Sequence, residues 1–303
     1  MPYLSLLMRR VLLILLTVLS ISLAHGFVDV GAGVSLGWKP DRAKIAEIHE
    51  AGFKLLRLPF DSNPDVELVK AATSKGLRVV VDFHPPLSWY SDPFAMFDLP
   101  GKWSRWAKQL QGISSDELAF EVLNEPRAAK RGPVYDSLMV ACIAAIREVS
   151  PSRWIVVSNP QLSDIDWFAG PLGNWTAPQY DRLIVPLHYY RPYEVTHPAS
   201  YRGQVGPDTP VGGGTKFDLS DWSNRELHFQ RYVNWCRENR VQAWLGEAGC
   251  YESVPGRLTW FSEVAKLART YSVPVCWWGW RDRFGYRPEQ KDAASVLKVM
   301  LDR

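Results

Sequence analysis

An excess of charge of one sign is the first thing this chain lacks. Its 303 residues carry 35 Lys and Arg against 32 Asp and Glu, a formal charge of +3. So even a balance argues against a nucleic-acid partner and against an acidic membrane surface. Cysteine is scarce too, and Cys142, Cys236, Cys250 and Cys276 show none of the short spacings that a metal site uses. Cys142 and Cys236 fall in helical patterns and read as buried apolar fillers. In an exported protein, Cys250 and Cys276 would be the pair to test for a disulfide. Internal repeats, low-complexity tracts and linkers are all missing, so one domain accounts for the chain. Also missing is a Gly-rich phosphate turn after the first strand. Gly31-Ala32-Gly33 stands ahead of that strand and lacks the rest of the pattern, which counts against an open doubly wound sheet.

The apolar run near the N-terminus falls short in its own way. Arg9-Arg10 precede residues 11–23, interrupted only by Thr17, Ser20 and Ser22. A membrane span needs roughly 20 apolar residues, so the run reads as a signal peptide, with Ala24-His25-Gly26 as its cleavage region. No cysteine follows it to take a lipid. The expectation is a signal over 1–26, a catalytic domain over 27–303 and Sec export, with a secreted or periplasmic product that has no membrane contact after cleavage.

What is present is a regular beat. Strand patterns at 31–36, 53–60, 77–83, 118–126, 154–158, 183–190, 241–246 and 274–280 alternate with helical patterns at 42–51, 65–75, 103–111, 134–149, 226–239, 258–270 and 293–301. Asp41 suits a helix cap and Gly52 a helix end. Eight strands alternating with helices predict an α/β fold, a single (β/α)8 TIM barrel. The Gly/Pro-rich stretch around Gly212-Gly213-Gly214 is too long for a simple connection and is expected to form a lid or groove wall.

In such a barrel the C-terminal strand tips converge on one mouth. Here those tips carry Arg57, His84, Asn124 with Glu125, His188 with Tyr190, Glu247 and Trp278. Each residue alone has an ordinary explanation as a surface cation, a strand-end histidine or a core aromatic. Six polar or aromatic tips together point to a functional cluster. Two glutamates on strands four and seven suit hydrolysis of a glycosidic bond. One must stay protonated to serve the leaving oxygen and the other ionised. At a carboxyl separation of about 5–5.5 Å the second attacks the sugar and configuration is retained. Arg57 would hold Glu247 ionised by charge and Tyr190 would orient it. Asn124 can reach a sugar 2-hydroxyl, and Trp278 offers a flat face for the ring. The chemistry asks for no metal and no cofactor, and predicts a pH optimum on the acid side of neutral.

The ordered set of motifs resembles glycoside hydrolase family 5, the cellulase and mannanase family of clan A. It runs through Ala51-Gly52-Phe53-Lys54, Leu56-Arg57-Leu58-Pro59, Val80-Val81-Asp82-Phe83-His84, Phe120-Glu121-Val122-Leu123-Asn124-Glu125-Pro126, His188-Tyr189-Tyr190, Gly246-Glu247 and Trp277-Trp278-Gly279-Trp280. The resemblance implies that Glu125 is the acid/base and Glu247 the nucleophile. It also implies that Arg57, His84, Asn124, His188, Tyr190 and Trp278 line the cleavage subsite, with Trp280 as the fallback for Trp278. A retaining endo-β-1,4-glucanase acting on a polysaccharide or oligosaccharide as a monomer is the leading expectation. A β-mannanase, another β-glucanase working on an exported matrix polysaccharide, and a non-catalytic glycan-binding barrel are the alternatives.

The chain departs from the family pattern at Pro85, where many members carry a second histidine. Arg127, Lys130 and Arg131 after Glu125 read as a solvated helix start, or as contacts for an acidic glycan. Trp38, Trp89, Trp167 and Trp222 lie in loops on the mouth side and are candidates for outer subsites, whereas Trp103 and Trp106 are expected to pack a helix.

Overall fold

Strand and helix alternate as expected in the computed structural model, which describes residues 26–37, 40–92, 94–127, 132–169, 181–198 and 222–302. The strands are β1 (Gly33–Ser35), β2 (Leu55–Phe60), β3 (Arg78–Phe83), β4 (Leu118–Glu121), β5 (Trp154–Val156), β6 (Leu183–Tyr189), β7 (Gln242–Ala248) and β8 (Cys276–Trp278). All are parallel, neighbours pair in chain order, and β8 pairs with β1. A parallel bridge between Leu245 and Val275 joins β7 to β8 and closes the ring. The fold is a TIM barrel.

The helices are α1 (Arg42–Ala51), α2 (Val66–Thr73), α3 (Leu99–Leu110), α4 (Gly132–Val149), the short α5 (Tyr193–Thr196), α6 (Arg225–Glu238), α7 (Arg257–Thr270) and α8 (Ala293–Leu301). Capping chemistry sets several boundaries. The Asp41 side chain accepts from Lys44 N at 2.8 Å, and Asp65 accepts from Leu68 N at 3.0 Å. Gly52 ends α1 with φ 104°, a left-handed conformation that favours glycine.

Strand alternation divides the core in two. Outward residues such as Leu56, Leu58, Val79, Val81 and Phe120 pack against the helices. Leu55, Val80, Ala119, Val156, Ile184, Trp244 and Cys276 form a separate inner cluster, which Phe27 and Val28 join from below. Phe27 is 1% exposed, and Arg78 Nη1 donates to its carbonyl at 2.7 Å. The N-terminal segment thus plugs the barrel floor. Two residues further up the same strand faces, Leu55 gives way to Arg57, Val80 to Asp82 and Ala119 to Glu121, all fully buried. That step from an apolar layer to an ionic one is where the site begins.

Cys250 and Cys276, the pair singled out to test for a disulfide, do not bridge. Both thiols are free and buried. Cys276 belongs to the inner cluster, and Cys250 packs in the outer one. Strand β4 also stops earlier than expected, at Glu121, so Asn124 and Glu125 sit on irregular backbone rather than on opposite faces of a strand. The Gly212–Gly214 stretch, Lys130, Arg131 and the signal region lie outside the described residues, apart from Gly26.

Candidate active site

Arg57 is the centre of the ionic layer. It is 0% exposed, and a buried guanidinium is stable only where carboxylates and acceptors meet its N–H groups. Nε donates to Glu121 Oε2 at 2.7 Å and Nη2 to Glu121 Oε1 at 2.8 Å. Nη2 also lies 2.9 Å from Asp82 Oδ2 and 2.9 Å from Asn124 Oδ1, while Nη1 donates to Glu247 Oε1 at 2.5 Å. Burial opposes the cation, but Asp82, Glu121 and Glu247 outweigh it, so Arg57 stays protonated.

Those contacts assign the polar groups beside it. Asn124 uses Oδ1 on Arg57, so its Nδ2 faces His84 Nε2 at 2.9 Å as the donor. When neutral, His84 then carries its proton on Nδ1 and donates to Asp82 Oδ2 at 3.0 Å. Tyr90 OH donates to the Asn124 carbonyl and fastens the turn from the other side. Glu125 follows with φ 38°, a conformation that costs free energy for any residue but glycine and that turns its side chain out of the strand path.

Strands β6 and β7 supply the opposite wall. Their register slips between Leu187 and His188: Leu187 faces Leu245, whereas His188 faces Glu247, leaving Gly246 as the extra residue of a bulge. A Cβ on Gly246 would lie 3.0 Å from Pro186 Cβ and 3.3 Å from His188 Nε2, so glycine is what lets the His188 ring lie against β7. His188 Nδ1 is 2.9 Å from Glu125 Oε1 and 3.7 Å from Glu247 Oε2. Tyr190 OH donates to Glu247 Oε2 at 2.8 Å. One oxygen of each glutamate and a ring nitrogen of His188 lie within 4.8 Å of one another. Burial pushes the Glu247 carboxyl up, but the charges of His188, Arg57 and His84 and the Tyr190 hydrogen bond hold it below its ordinary value. Burial pushes His188 down, and Glu247 and Glu125 together raise it.

A divalent cation could in principle meet Glu125, His188 and Glu247. Both oxygens of Glu247 already accept hydrogen bonds, however, one of them from a guanidinium. A second positive charge there would meet direct repulsion. The donor set suits proton transfer and nucleophilic attack.

All eight residues read from the strand tips meet at this mouth. Trp278 lies with its ring centroid 5.9 Å from His84. Its neighbours point elsewhere. Trp277 donates to Met300 O at 3.1 Å and Trp280 to Glu47 Oε2 at 3.0 Å, so Trp280 does not share the face of Trp278. Three participants escaped the reading of the sequence: Asp82, Glu121 and Tyr90. For the two acids a signal existed. An arginine at an inward strand position needs carboxylates at inward positions of nearby strands, and Asp82 on β3 and Glu121 on β4 are the acids there. Tyr90 had none, because its reach depends on how the loop after β3 folds back. Of the loop tryptophans, Trp222 is buried, stacked on Trp260 and bonded to Tyr189 OH, so it is no subsite. Trp89 is half-buried against Phe83. Trp38 and the Trp167 side chain lie outside the described residues. Trp103 and Trp106 are buried on α3, as expected.

Comparison with known proteins places this geometry. The family model of cellulase (glycosyl hydrolase family 5) matches residues 25–283. Endoglucanase C of Acetivibrio thermocellus is 22% identical over 315 aligned positions, which cover 86% of this chain and 90% of the relative. Cellodextrinase A of Ruminococcus flavefaciens is 23% identical over 76% of this chain and 75% of its own. Among solved structures, Thermotoga maritima Cel5A in complex with cellobiose superposes with a TM-score of 0.78 at 20% identity, covering 89% of this chain and 97% of that one.

Proposed function

Since this chain belongs to the cellulase family, glycosyl hydrolase family 5, and is a glycoside hydrolase, we propose that it cleaves β-1,4-glucan at internal bonds with retention of configuration, Glu125 acting as acid/base and Glu247 as nucleophile. One observation carries the reading. Two glutamates from opposite walls of the mouth approach to within 4.8 Å, oxygen to oxygen, and their surroundings differ in kind. Glu247 is buried and held by Arg57 and Tyr190. Glu125 has a third of its side chain exposed, at 32%, and a single histidine contact. Close spacing with one fixed anion and one accessible carboxyl is the arrangement that double displacement requires.

In the first step a Glu247 oxygen bonds to the anomeric carbon while the glycosidic bond breaks and Glu125 gives its proton to the departing oxygen. In the second, Glu125 takes a proton from water, the water oxygen bonds to the anomeric carbon, and Glu247 departs as carboxylate. In this reading Asn124 meets a sugar hydroxyl, His84 holds the Asn124 amide in place, and Trp278 stacks on the ring. The relatives named endoglucanase and cellodextrinase support a cellulose-type substrate. We further propose an exported monomer released by cleavage after Ala24. Cleavage there leaves His25 and Gly26 ahead of the buried Phe27, whereas cleavage after Gly26 would place the new charged terminus on a residue that is 1% exposed.

A substrate panel tests the reading: carboxymethyl-cellulose, mixed-linkage glucan, glucomannan, xylan and laminarin, with products followed by proton NMR. The expected result is fastest loss of viscosity with the β-1,4-glucans and a β-anomer as first product. Preference for glucomannan, xylan or laminarin over carboxymethyl-cellulose and mixed-linkage glucan would replace the substrate, and a first-formed α-anomer would overturn the mechanism.

A further inference from the structure

Glu121 has no part in the two-glutamate cycle, yet it makes the largest claim on Arg57. It is fully buried, and both of its oxygens serve the guanidinium, Oε2 from Nε at 2.7 Å and Oε1 from Nη2 at 2.8 Å. Pairing one buried cation needs one carboxylate, and Asp82 at 2.9 Å would supply it. Asp82 also faces His84 at 3.0 Å and Glu247 faces His188 at 3.7 Å, so Glu121 is the carboxylate in surplus on Arg57, and a buried surplus of charge costs stability. Burial raises the Glu121 carboxyl above its ordinary value despite the opposing charge of Arg57, as expected for an anion held there against repulsion.

The surplus has a reason in the reaction. The edge of a guanidinium can close as a fork on both oxygens of one carboxylate. If Arg57 closed on Glu247 in that way, the guanidinium would compete with Tyr190 for Oε2 and hold both oxygens of the nucleophile against a cation. Instead Nε and Nη2 are closed on Glu121, and Glu247 receives Nη1 alone. We propose that Glu121 is a positioning residue for the nucleophile: it occupies the forked edge of Arg57, limits Glu247 to one arginine hydrogen bond, and so leaves Glu247 basic enough to attack. It has a second consequence. Once Glu247 has formed the bond to the anomeric carbon its negative charge is gone, and Glu121 and Asp82 keep Arg57 neutralised until Glu247 leaves again.

This inference rests on Glu247 being the nucleophile. The test uses the full chain and an aryl β-cellobioside with a dinitrophenolate leaving group, which needs no acid and so reports on Glu247. Besides Arg57, the other charged and titratable groups facing Glu247 are His84 just after β3, Glu125 from the turn after β4, His188 on β6 with Tyr190 just after it, and Cys276 on β8, and all stay unchanged in the variants. E121Q removes the repelling charge, so the acid limb of kcat/KM is expected to move down by roughly one pH unit, with a plateau lower on the order of 10-fold. E121D keeps the charge but shortens the fork. Its acid limb is expected at the wild-type pH, with a lowered kcat. A folded E121Q whose acid limb stays in place or moves up would overturn the proposal. Should E121Q not fold, E121D decides, since a wild-type kcat or a displaced limb contradicts it. E247Q separates the two levels. If E247Q turns over, the nucleophile assignment itself fails. If it is inactive while E121Q matches wild type, only the role of Glu121 falls.

Discussion

A single buried cation organises this site, and the consequences can be read one residue at a time. Removing Arg57 would take from Asp82, Glu121 and Glu247 the counter-charge they share, so Arg57→Met is expected to cost about 3–5 kcal/mol of stability, measurable by denaturant unfolding. Glu125→Gln is expected to slow polysaccharide cleavage by roughly 10²–10⁴-fold. Bond breaking in an aryl glycoside with a good leaving group, read as the burst of released phenolate, should be largely spared. Equal loss on both substrates would contradict the acid/base role. Titration adds a sign. His188 has a folded pKa raised above its unfolded value, so its contribution to stability is complete below the unfolded pKa and lost as pH rises through the folded one. Glu247 has a lowered folded pKa, so its contribution is present above the unfolded value and lost as pH falls through the folded one. Melting temperature should therefore peak on the acid side of neutral. His188→Asn should flatten the alkaline decline, and scanning calorimetry across pH reads both. The eight tip residues could be read from the sequence because each ends a recognisable strand. Glu121 and Asp82 were not, because a carboxylate inside a strand pattern looks like an outward one until the register shows that it shares a face with Arg57.

Among the elements, the alternation of strand and helix was legible, and so were boundaries with chemical punctuation, such as Asp41, Gly52 and Asp65. The irregularities that aim the catalytic groups were not. Nothing local in Leu-Gly-Glu announces a bulge at Gly246, since the extra residue exists only relative to β6. Likewise, Pro126 suggested that β4 would run to its own edge, yet the ladder ends at Glu121 and Glu125 turns through a positive φ. Gly246→Ala tests the bulge. The added methyl meets backbone-anchored Pro186 Cβ at 3.0 Å, so a stability cost of about 1–3 kcal/mol is expected from overpacking. Activity should fall further than stability explains, because the His188 ring must move. Full turnover in a folded Gly246→Ala would show that the ring position does not matter.

For the molecule as a whole, the barrel could be argued from the count of alternating elements, but its floor could not. On the sequence the export signal was expected to end at Gly26, and residues 27–30 were a lead-in to the first strand with no role of their own. In the fold, Phe27 and Val28 close the lower end of the inner cluster beneath Leu55, Val80 and Trp244. Phe27→Ala is expected to destabilise the barrel by about 3–5 kcal/mol while leaving KM unchanged, since the floor lies at the opposite end from the mouth. A variant with full stability would mean that the plug contributes nothing to closure. Whether Cys250 and Cys276 pair was open on the sequence for a related reason. Cys250 and Cys276 pack in separate clusters, a separation that strand assignment alone does not reveal. Among the described residues, no helix is long and apolar enough to cross a membrane. The claim that unites the three scales is that β2, β3, β4, β6 and β7 converge to make Glu247 a nucleophile and Glu125 its proton partner. Incubation with an activated 2-deoxy-2-fluoro-β-cellobioside, followed by peptide mass spectrometry, tests it most directly. The prediction is a single fluoroglycosyl adduct on the peptide containing Glu247, slow to hydrolyse and absent from Glu247→Gln. An adduct on another carboxylate, or a protein that turns over cellulose oligomers to an initial α-anomer without ever forming one, would contradict it.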